Sequence, residues 1–174
     1  MTENIFNDFF ENKKKEIQWT CREEKLQDMI SHLTIYLQPG DWVFLDAELG
    51  AGKTTFIQSF LKEIDPHLKT TSPTFSILNT IQIENHKLFK KIIHLDLYRI
   101  QNPKELYYLS LEDIFQKENS LVFIEWPWNL EIEDYQSFFK VTNCEKPRKI
   151  FLIEIHGDGN HRNYILKNVD LFKI

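Results

Sequence analysis

Residues 40–60, GDWVFLDAELGAGKTTFIQSF, contain the strongest structural signal in this amino-acid sequence. Residues 42–45 are apolar and β-prone and predict a buried strand, while the apolar residues that follow Thr54 recur at the spacing of one helix face. A short turn of small residues separates the two. We therefore expect an α/β fold with this turn at the carboxyl edge of a sheet, where open α/β sheets bind ligands.

The turn fits a known phosphate-binding pattern. Residues 47–54, AELGAGKT, match G-x-x-x-x-G-K-[ST] except at the first position, where Ala47 replaces glycine. In such a loop, backbone N–H groups at a helix N-terminus surround the anion. Lys53 would add a charge near the β- and γ-phosphates, and Thr54 a hydroxyl for Mg²⁺. The other candidate contacts are Glu48, Leu49, Gly50, Ala51 and Gly52. Alanine is the smallest departure from glycine, so we expect phosphate binding; the alternative is a structural turn with an exposed lysine.

Composition limits the possible classes. The chain has 174 residues, of which 42% are hydrophobic, enough for the core of one domain. No apolar run approaches the ~20 residues that a membrane helix needs, and residues 1–16 lack the apolar region of a secretory signal. We expect a cytoplasmic protein without membrane association, consisting of a polar N-terminal extension, residues 1–19, and a single domain, residues 20–174.

The charge of the chain argues against direct binding of nucleic acid. The net charge is −5, and the basic residues are scattered apart from one short run at residues 13–15. Proteins that bind nucleic acid by themselves usually present a basic face, because neutralisation of phosphates supplies most of the affinity. Any role that involves nucleic acid therefore passes through a partner.

The rest of the chain continues the α/β pattern, and we predict one hairpin from the runs 75–83 and 90–95 and another from 149–155 and 164–166. Strands are predicted at 16–20, 75–83, 90–95, 120–124, 149–155 and 164–166, and helices at 23–37 and 103–109. Residues 128–148 carry no chemistry that we can assign.

Two carboxylates follow apolar strands. A strand that ends in an acid is the pattern by which phosphate-loop enzymes hold Mg²⁺, which makes Glu125 the preferred metal partner. Asp96 occupies a similar position, but it could instead cap the helix 103–109 or pair with Arg99. The alternative for Glu125 is an exposed acid at a strand end.

Residues 70–75, TTSPTF, place several hydroxyl groups around a proline. The local sequence fits two interpretations equally well: an ordinary turn, and a loop that faces a nucleotide. His156 and His161 lie in a predicted turn without the clustered ligands of a metal site, and we interpret them as turn histidines.

Together, the motifs carry a family resemblance. They are LGAGKTT at 49–55, SPTF at 72–75, DLYR at 96–99, IEWP at 124–127 and a terminal G-x-x-x-x-R that ends at Arg162. In this order they resemble the TsaE family, also called YjeE, of bacterial ATPases in tRNA threonylcarbamoyladenosine biosynthesis.

The resemblance implies a P-loop NTPase-like fold of three layers, with a mixed, partly parallel central sheet, in a single ATPase domain. It implies that ATP and Mg²⁺ bind at Lys53 and Thr54. Asp96 and Glu125 become an acidic pair that serves the metal and a water. The resemblance implies further site residues: Thr55 near the nucleotide, Ser72 and Thr74 in a switch-like loop, and Trp126 beside the acids.

The resemblance also implies a function. Similar proteins hydrolyse ATP while bound to TsaB and TsaD, and they drive or reset this transferase complex, touching tRNA only indirectly. Two alternatives remain. A small-molecule kinase should carry an arginine-rich lid, whereas only Arg99, Arg148 and Arg162 follow the loop. A nucleotide-gated scaffold without hydrolysis would result if Ala47 weakens the loop.

Overall fold

The computed structural model describes residues 2–70, 73, 76–109, 111–115, 119–142, 144–158 and 160–172. The helices are α1 Thr2–Phe10, α2 Leu26–Tyr36, α3 Lys53–Ile64, α4 Leu111–Ile114 and α5 Ile132–Thr142. The strands are β1 Glu16–Arg22, β2 Trp42–Asp46, β3 Leu78–Gln82, β4 Lys91–Asp96, β5 Ser120–Glu125, β6 Ile150–Asp158 and β7 His161–Val169. Short 3-10 helices occupy Glu23–Lys25, Pro103–Leu109 and Pro127–Asn129.

Within the described part of the chain, seven strands form one sheet in the order β1-β7-β6-β2-β5-β4-β3. Strand β2 pairs in parallel with both β5 and β6, and β4 pairs in parallel with β5. The outer pairs β1–β7, β6–β7 and β3–β4 are antiparallel. The sheet is therefore mixed with a parallel centre, which confirms the predicted fold class. Because β2, β4 and β5 are parallel, their carboxyl ends meet at one edge.

The sheet separates two cores, as the alternation of side chains along β2 shows. Val43 and Leu45 belong to one core, together with Phe56 of α3. Trp42 and Phe44 belong to the other, together with side chains of α5. Since successive residues of a strand point to opposite faces, both faces must be covered. Helices α1, α2 and α3 cover one face, and α5 with the 3-10 segment Pro103–Leu109 covers the other, which completes three layers.

Helix α5 lies where the sequence analysis assigned no element. Its Tyr135, Phe138 and Phe139 are buried against the second core. The predicted helix at 103–109 is a 3-10 helix, and the strand predicted at 75–83 is shorter, since β3 begins at Leu78. Among the helices that the described residues form, none has the length and apolar character needed to cross a bilayer.

The N-terminal segment contributes to the main core. Phe6 and Phe9 of α1 are fully buried. The Phe6 ring packs 5.8 Å from that of Trp19, and the Phe9 ring lies 6.2 Å from that of Phe151. The predicted polar extension, residues 1–19, therefore includes buried side chains, because the apolar residues of α1 pack in the main core. The domain boundary at residue 20 stays a prediction.

Phe9→Ala should lower the free energy of unfolding by about 3–5 kcal/mol, because a buried aromatic ring is replaced by a cavity. Denaturant unfolding of the purified chain measures this. The control is Ile35→Ala on α2, whose side chain is 65% exposed, and it should change stability by no more than about 0.5 kcal/mol. Equal stability of the two variants would show that α1 lies outside the cooperative core.

Candidate active site

The loop between β2 and α3 turns at its two glycines. Gly50 has a φ of 79° and Gly52 a φ of 109°, a left-handed region in which side chains with a Cβ are strained. Ala47 is not among the residues with positive φ, so its Cβ causes no strain of this kind. The departure from the phosphate-loop pattern therefore falls at a position where the backbone does not need glycine.

Lys53 begins α3 and is held inside the curve of the loop. Its side chain is only 5% exposed. The Nζ group donates hydrogen bonds to the carbonyl oxygens of Ala47 at 2.8 Å and Glu48 at 3.1 Å. It also lies 4.0 Å from the centroid of the Trp126 ring, a cation–π contact. The ammonium group thus lies at the helix N-terminus, where a phosphate-binding loop receives its anion.

The electrostatic surroundings of this lysine are mixed. Burial lowers the pKa of Lys53 from its usual value, and the nearby carboxylates of Glu125 and Asp96 act in the opposite direction. A partly desolvated ammonium group gains from any further negative charge placed beside it. A polyanion in the loop would therefore stabilise the charged form of Lys53.

Asp96 and Glu125 end the adjacent parallel strands β4 and β5 and are register partners. Each is 3% exposed. The hydroxyl of Thr54 donates to Oε1 of Glu125 at 3.2 Å, so a residue of the loop helix and a strand-end acid meet. Oδ1 of Asp96 accepts a hydrogen bond from the backbone N–H of Tyr98 at 3.0 Å, which holds the turn after β4. Glu125 is therefore not the exposed strand-end acid of the alternative reading.

A cleft of about 300 Å³ opens at this edge of the sheet. Its lining residues are Leu49, Gly50, Gly52, Lys53, Thr54, Thr55, Asp96, Tyr98, Glu125 and Trp126. Glu48 and Ala51 line a neighbouring cleft, together with residues of β6 and β7. Ser72 and Thr74 lie outside the described residues. The structure thus brings most of the expected site residues together, while what they bind stays a prediction.

Trp126 has an unusual backbone. Its φ of 57° and ψ of 48° place it in the left-handed region. A non-glycine residue there costs on the order of 1–3 kcal/mol, and such strain clusters at functional sites. Its ring contacts both Lys53 and Tyr98, with 5.0 Å between the centroids of the two aromatic rings. The strained residue therefore forms one wall of the cleft.

Sequence reasoning gave three other residues of the site no role. Tyr98 contacts Trp126, and its signal was its place two residues after Asp96. His94 lies 2.8 Å from Glu125, and the two-residue period of β4 puts it on the face of Asp96. Nε of Arg162 donates to the carbonyl oxygen of Ala51 at 3.2 Å, a contact that no local pattern predicts.

The oxygen atoms of the cleft suit Mg²⁺. The Thr54 hydroxyl and the carboxylates of Glu125 and Asp96 are hard donors that line one space. In the part of the chain that the structure describes, no three or more His, Cys, Asp or Glu side chains form a metal-binding group. Mg²⁺ commonly uses only one or two carboxylates and takes its remaining ligands from water and substrate phosphates. The site therefore fits a magnesium ion that arrives with a phosphate-bearing ligand.

A parallel strand, a glycine turn, a helix that begins with lysine, and carboxylates on the neighbouring strands define a protein with a P-loop NTPase-like fold. Comparison with known families agrees. The family model described as "Threonylcarbamoyl adenosine biosynthesis protein TsaE" matches residues 20–154. This chain belongs to the TsaE family.

Individual relatives carry the name "tRNA threonylcarbamoyladenosine biosynthesis protein TsaE". The Rickettsia felis protein is 35% identical over 105 residues, which cover 60% of this chain and 58% of the relative. The Haemophilus influenzae protein is 34% identical over 94 residues, which cover 54% of this chain and 56% of the relative. The Bacillus subtilis protein is 29% identical over 118 residues, which cover 67% of this chain and 70% of the relative. The first of these matches thus spans less than two thirds of the relative's length.

A solved structure shares the fold. The crystal structure of Bacillus subtilis YdiB superposes with a TM-score of 0.56 and covers 90% of this chain and 87% of its own. Its sequence identity is 22%, so the likeness concerns the fold alone.

Proposed function

We propose that this protein hydrolyses ATP in a Mg²⁺-dependent reaction as a component of tRNA threonylcarbamoyladenosine biosynthesis. The observation that carries the proposal is the contact between the Thr54 hydroxyl and the Glu125 carboxylate, beside the buried Lys53. Phosphate-loop NTPases hold Mg²⁺ with a hydroxyl of the loop and an acid of a neighbouring strand. Membership of the TsaE family supports the pathway.

The residues of the cleft have different roles in the proposed reaction. Thr54 and Glu125 would hold Mg²⁺, which would supply positive charge beside the phosphate oxygens of ATP. Lys53 exchanges its bonds to the carbonyls of the loop for bonds to these oxygens, and the loop N–H groups orient the triphosphate. Asp96 or Glu125 orients the water that attacks the γ-phosphorus as the bond to the bridging oxygen breaks. The products are ADP and inorganic phosphate.

We further propose that the protein works with homologues of TsaB and TsaD in the cytoplasm. The net charge of −5 supports an indirect relation to tRNA, since it does not supply the basic surface that phosphate binding needs. Hydrolysis would drive or reset the transferase complex between turnovers. Catalysis of phosphoryl transfer depends mostly on positioning, so turnover by the chain alone should be weak.

Phosphate release tests the proposal directly. Purified protein with ATP and Mg²⁺ should release phosphate slowly, EDTA should stop the release, and homologues of TsaB and TsaD should accelerate it. ATP binding without phosphate release, with or without the partners, would contradict hydrolysis and favour the nucleotide-gated scaffold. Transfer of phosphate to an acceptor from a panel of nucleosides and metabolites would favour the kinase.

A further inference from the structure

His94 is a completely buried polar residue behind the cleft, with 0% of its surface exposed. Its Nε2 atom lies 2.8 Å from Oε1 of Glu125. Its Nδ1 atom is also buried and finds no hydrogen-bond partner among the described residues. The carboxylate is therefore the one side chain of the described chain to which this imidazole forms a hydrogen bond.

The position of His94 follows from the sheet. Strand β4 lies beside β5, where His94 is the register partner of Phe123 and Asp96 that of Glu125. Side chains two residues apart on a strand share a face, so His94 shares the face of Ile92, which packs in the core beneath α3. The imidazole thus reaches Glu125 from the side of the core rather than from solvent.

The chemistry of this contact indicates which nitrogen of the imidazole carries the hydrogen. A carboxylate oxygen accepts hydrogen bonds, so we assign the hydrogen of this contact to Nε2, which donates it to Oε1. The same oxygen accepts the Thr54 hydroxyl at 3.2 Å. Two donors on one oxygen restrict rotation of the carboxylate, and this restricts where the second oxygen, Oε2, can lie.

We propose that His94 is a positioning residue, which holds the Glu125 carboxylate in the orientation needed for a Mg²⁺-bound nucleotide. This inference rests on the proposed function, in which Glu125 serves the metal and the water. A ligand or catalytic group of a metal site is commonly oriented by a hydrogen bond from a second residue that does not touch the metal.

The unpartnered Nδ1 atom supports this role over a packing role. A buried polar atom without a partner costs free energy, and an apolar side chain of similar size would avoid that cost at this position. The cost is explained if the imidazole is needed for the hydrogen bond of its other nitrogen, Nε2, to Glu125. A residue that served only to fill space under α3 would need neither nitrogen.

Two substitutions separate positioning from packing. His94→Gln retains an N–H donor at a reach similar to that of Nε2, whereas His94→Met has similar length and no donor. The readout is the Mg²⁺ concentration at half-saturation for binding of a fluorescent, non-hydrolysable ATP analogue, with kcat and KM of phosphate release beside it. His94→Met should raise the half-saturating Mg²⁺ concentration about 10–100-fold, as losses of such supporting partners typically do. Binding of the analogue in EDTA should stay unchanged, and His94→Gln should retain the wild-type Mg²⁺ dependence.

Several results would overturn the inference. They are a folded His94→Met variant with wild-type Mg²⁺ dependence, or a His94→Gln variant as impaired as His94→Met. A measurement on the wild type needs no variant to fold: ¹⁵N NMR of the imidazole should show hydrogen on Nε2, and an imidazole protonated only on Nδ1 would also overturn the inference. Failure of the wild type to release phosphate would contradict the proposed function instead, while Mg²⁺-dependent binding of the analogue would still decide the role of His94.

Discussion

Lys53→Ala should lower kcat for phosphate release by about 10²–10³-fold, the loss typical when one preorganised charge-stabilising donor is removed. It should also weaken nucleotide binding. The expectation follows from the position of the ammonium group, which is buried at the N-terminus of α3 and bonded to the carbonyls of Ala47 and Glu48. A phosphate-binding loop binds its anion through backbone N–H groups at such a helix N-terminus. Removal of the side chain leaves only the uncharged backbone N–H groups of the loop to bind the phosphates.

Phosphate release and binding of a fluorescent nucleotide, measured on the same preparation, check this result. Lys140→Ala is a matched control, because Lys140 is exposed in the last turn of α5, on the opposite layer of the domain. It should have wild-type activity. Unchanged activity in purified Lys53→Ala would refute the assignment of residues 47–54 as a phosphate-binding loop.

Glu125→Gln should remove most Mg²⁺-dependent turnover, with kcat reduced by about 10²–10⁴-fold if the carboxylate orients the attacking water. Some nucleotide binding should remain, because the loop and Lys53 are unchanged. The amide keeps the size of the side chain and an oxygen that can accept the hydroxyl of Thr54. The substitution therefore tests the charge rather than the shape of this residue.

Asp96→Asn, measured beside Glu125→Gln, would assign the two roles that the sequence left open. Loss of Mg²⁺ dependence marks the residue that serves the metal, and loss of kcat at saturating Mg²⁺ marks the one that orients water. Glu133→Gln is the control, since Glu133 is exposed in the first turn of α5. A Glu125→Gln variant with normal Mg²⁺ dependence would move the metal role to another residue.

The elements missed by the sequence analysis share a cause. Helix α1 is short and its phenylalanines stand among acidic and amide residues, so it resembled a polar extension. The apolar face of α1 is stabilised because Phe6 and Phe9 pack in the core beside β1 and α2. Helix α5 was missed for the same reason. A short amphipathic helix is stabilised mainly by the surface on which it packs, and that surface is not visible in the local sequence.

The amino-acid sequence alone was enough to predict the loop, its lysine and the strands that end in acids. Each of these is a pattern among neighbouring residues, with a spacing that the backbone imposes directly. The order of strand, glycine turn and helix was also enough to predict an α/β fold. The three layers and the mixed sheet were expected from the family resemblance.

Other features of the site depend on the order of strands in the sheet. The contact of Thr54 with Glu125 joins residues 71 positions apart, and that of Arg162 with Ala51 joins residues 111 positions apart. Only the parallel pairing of β2, β4 and β5 brings the two acids to the helix of the loop and His94 behind Glu125. These contacts follow from folding of the whole chain, because each requires a register between strands that local residue patterns do not specify.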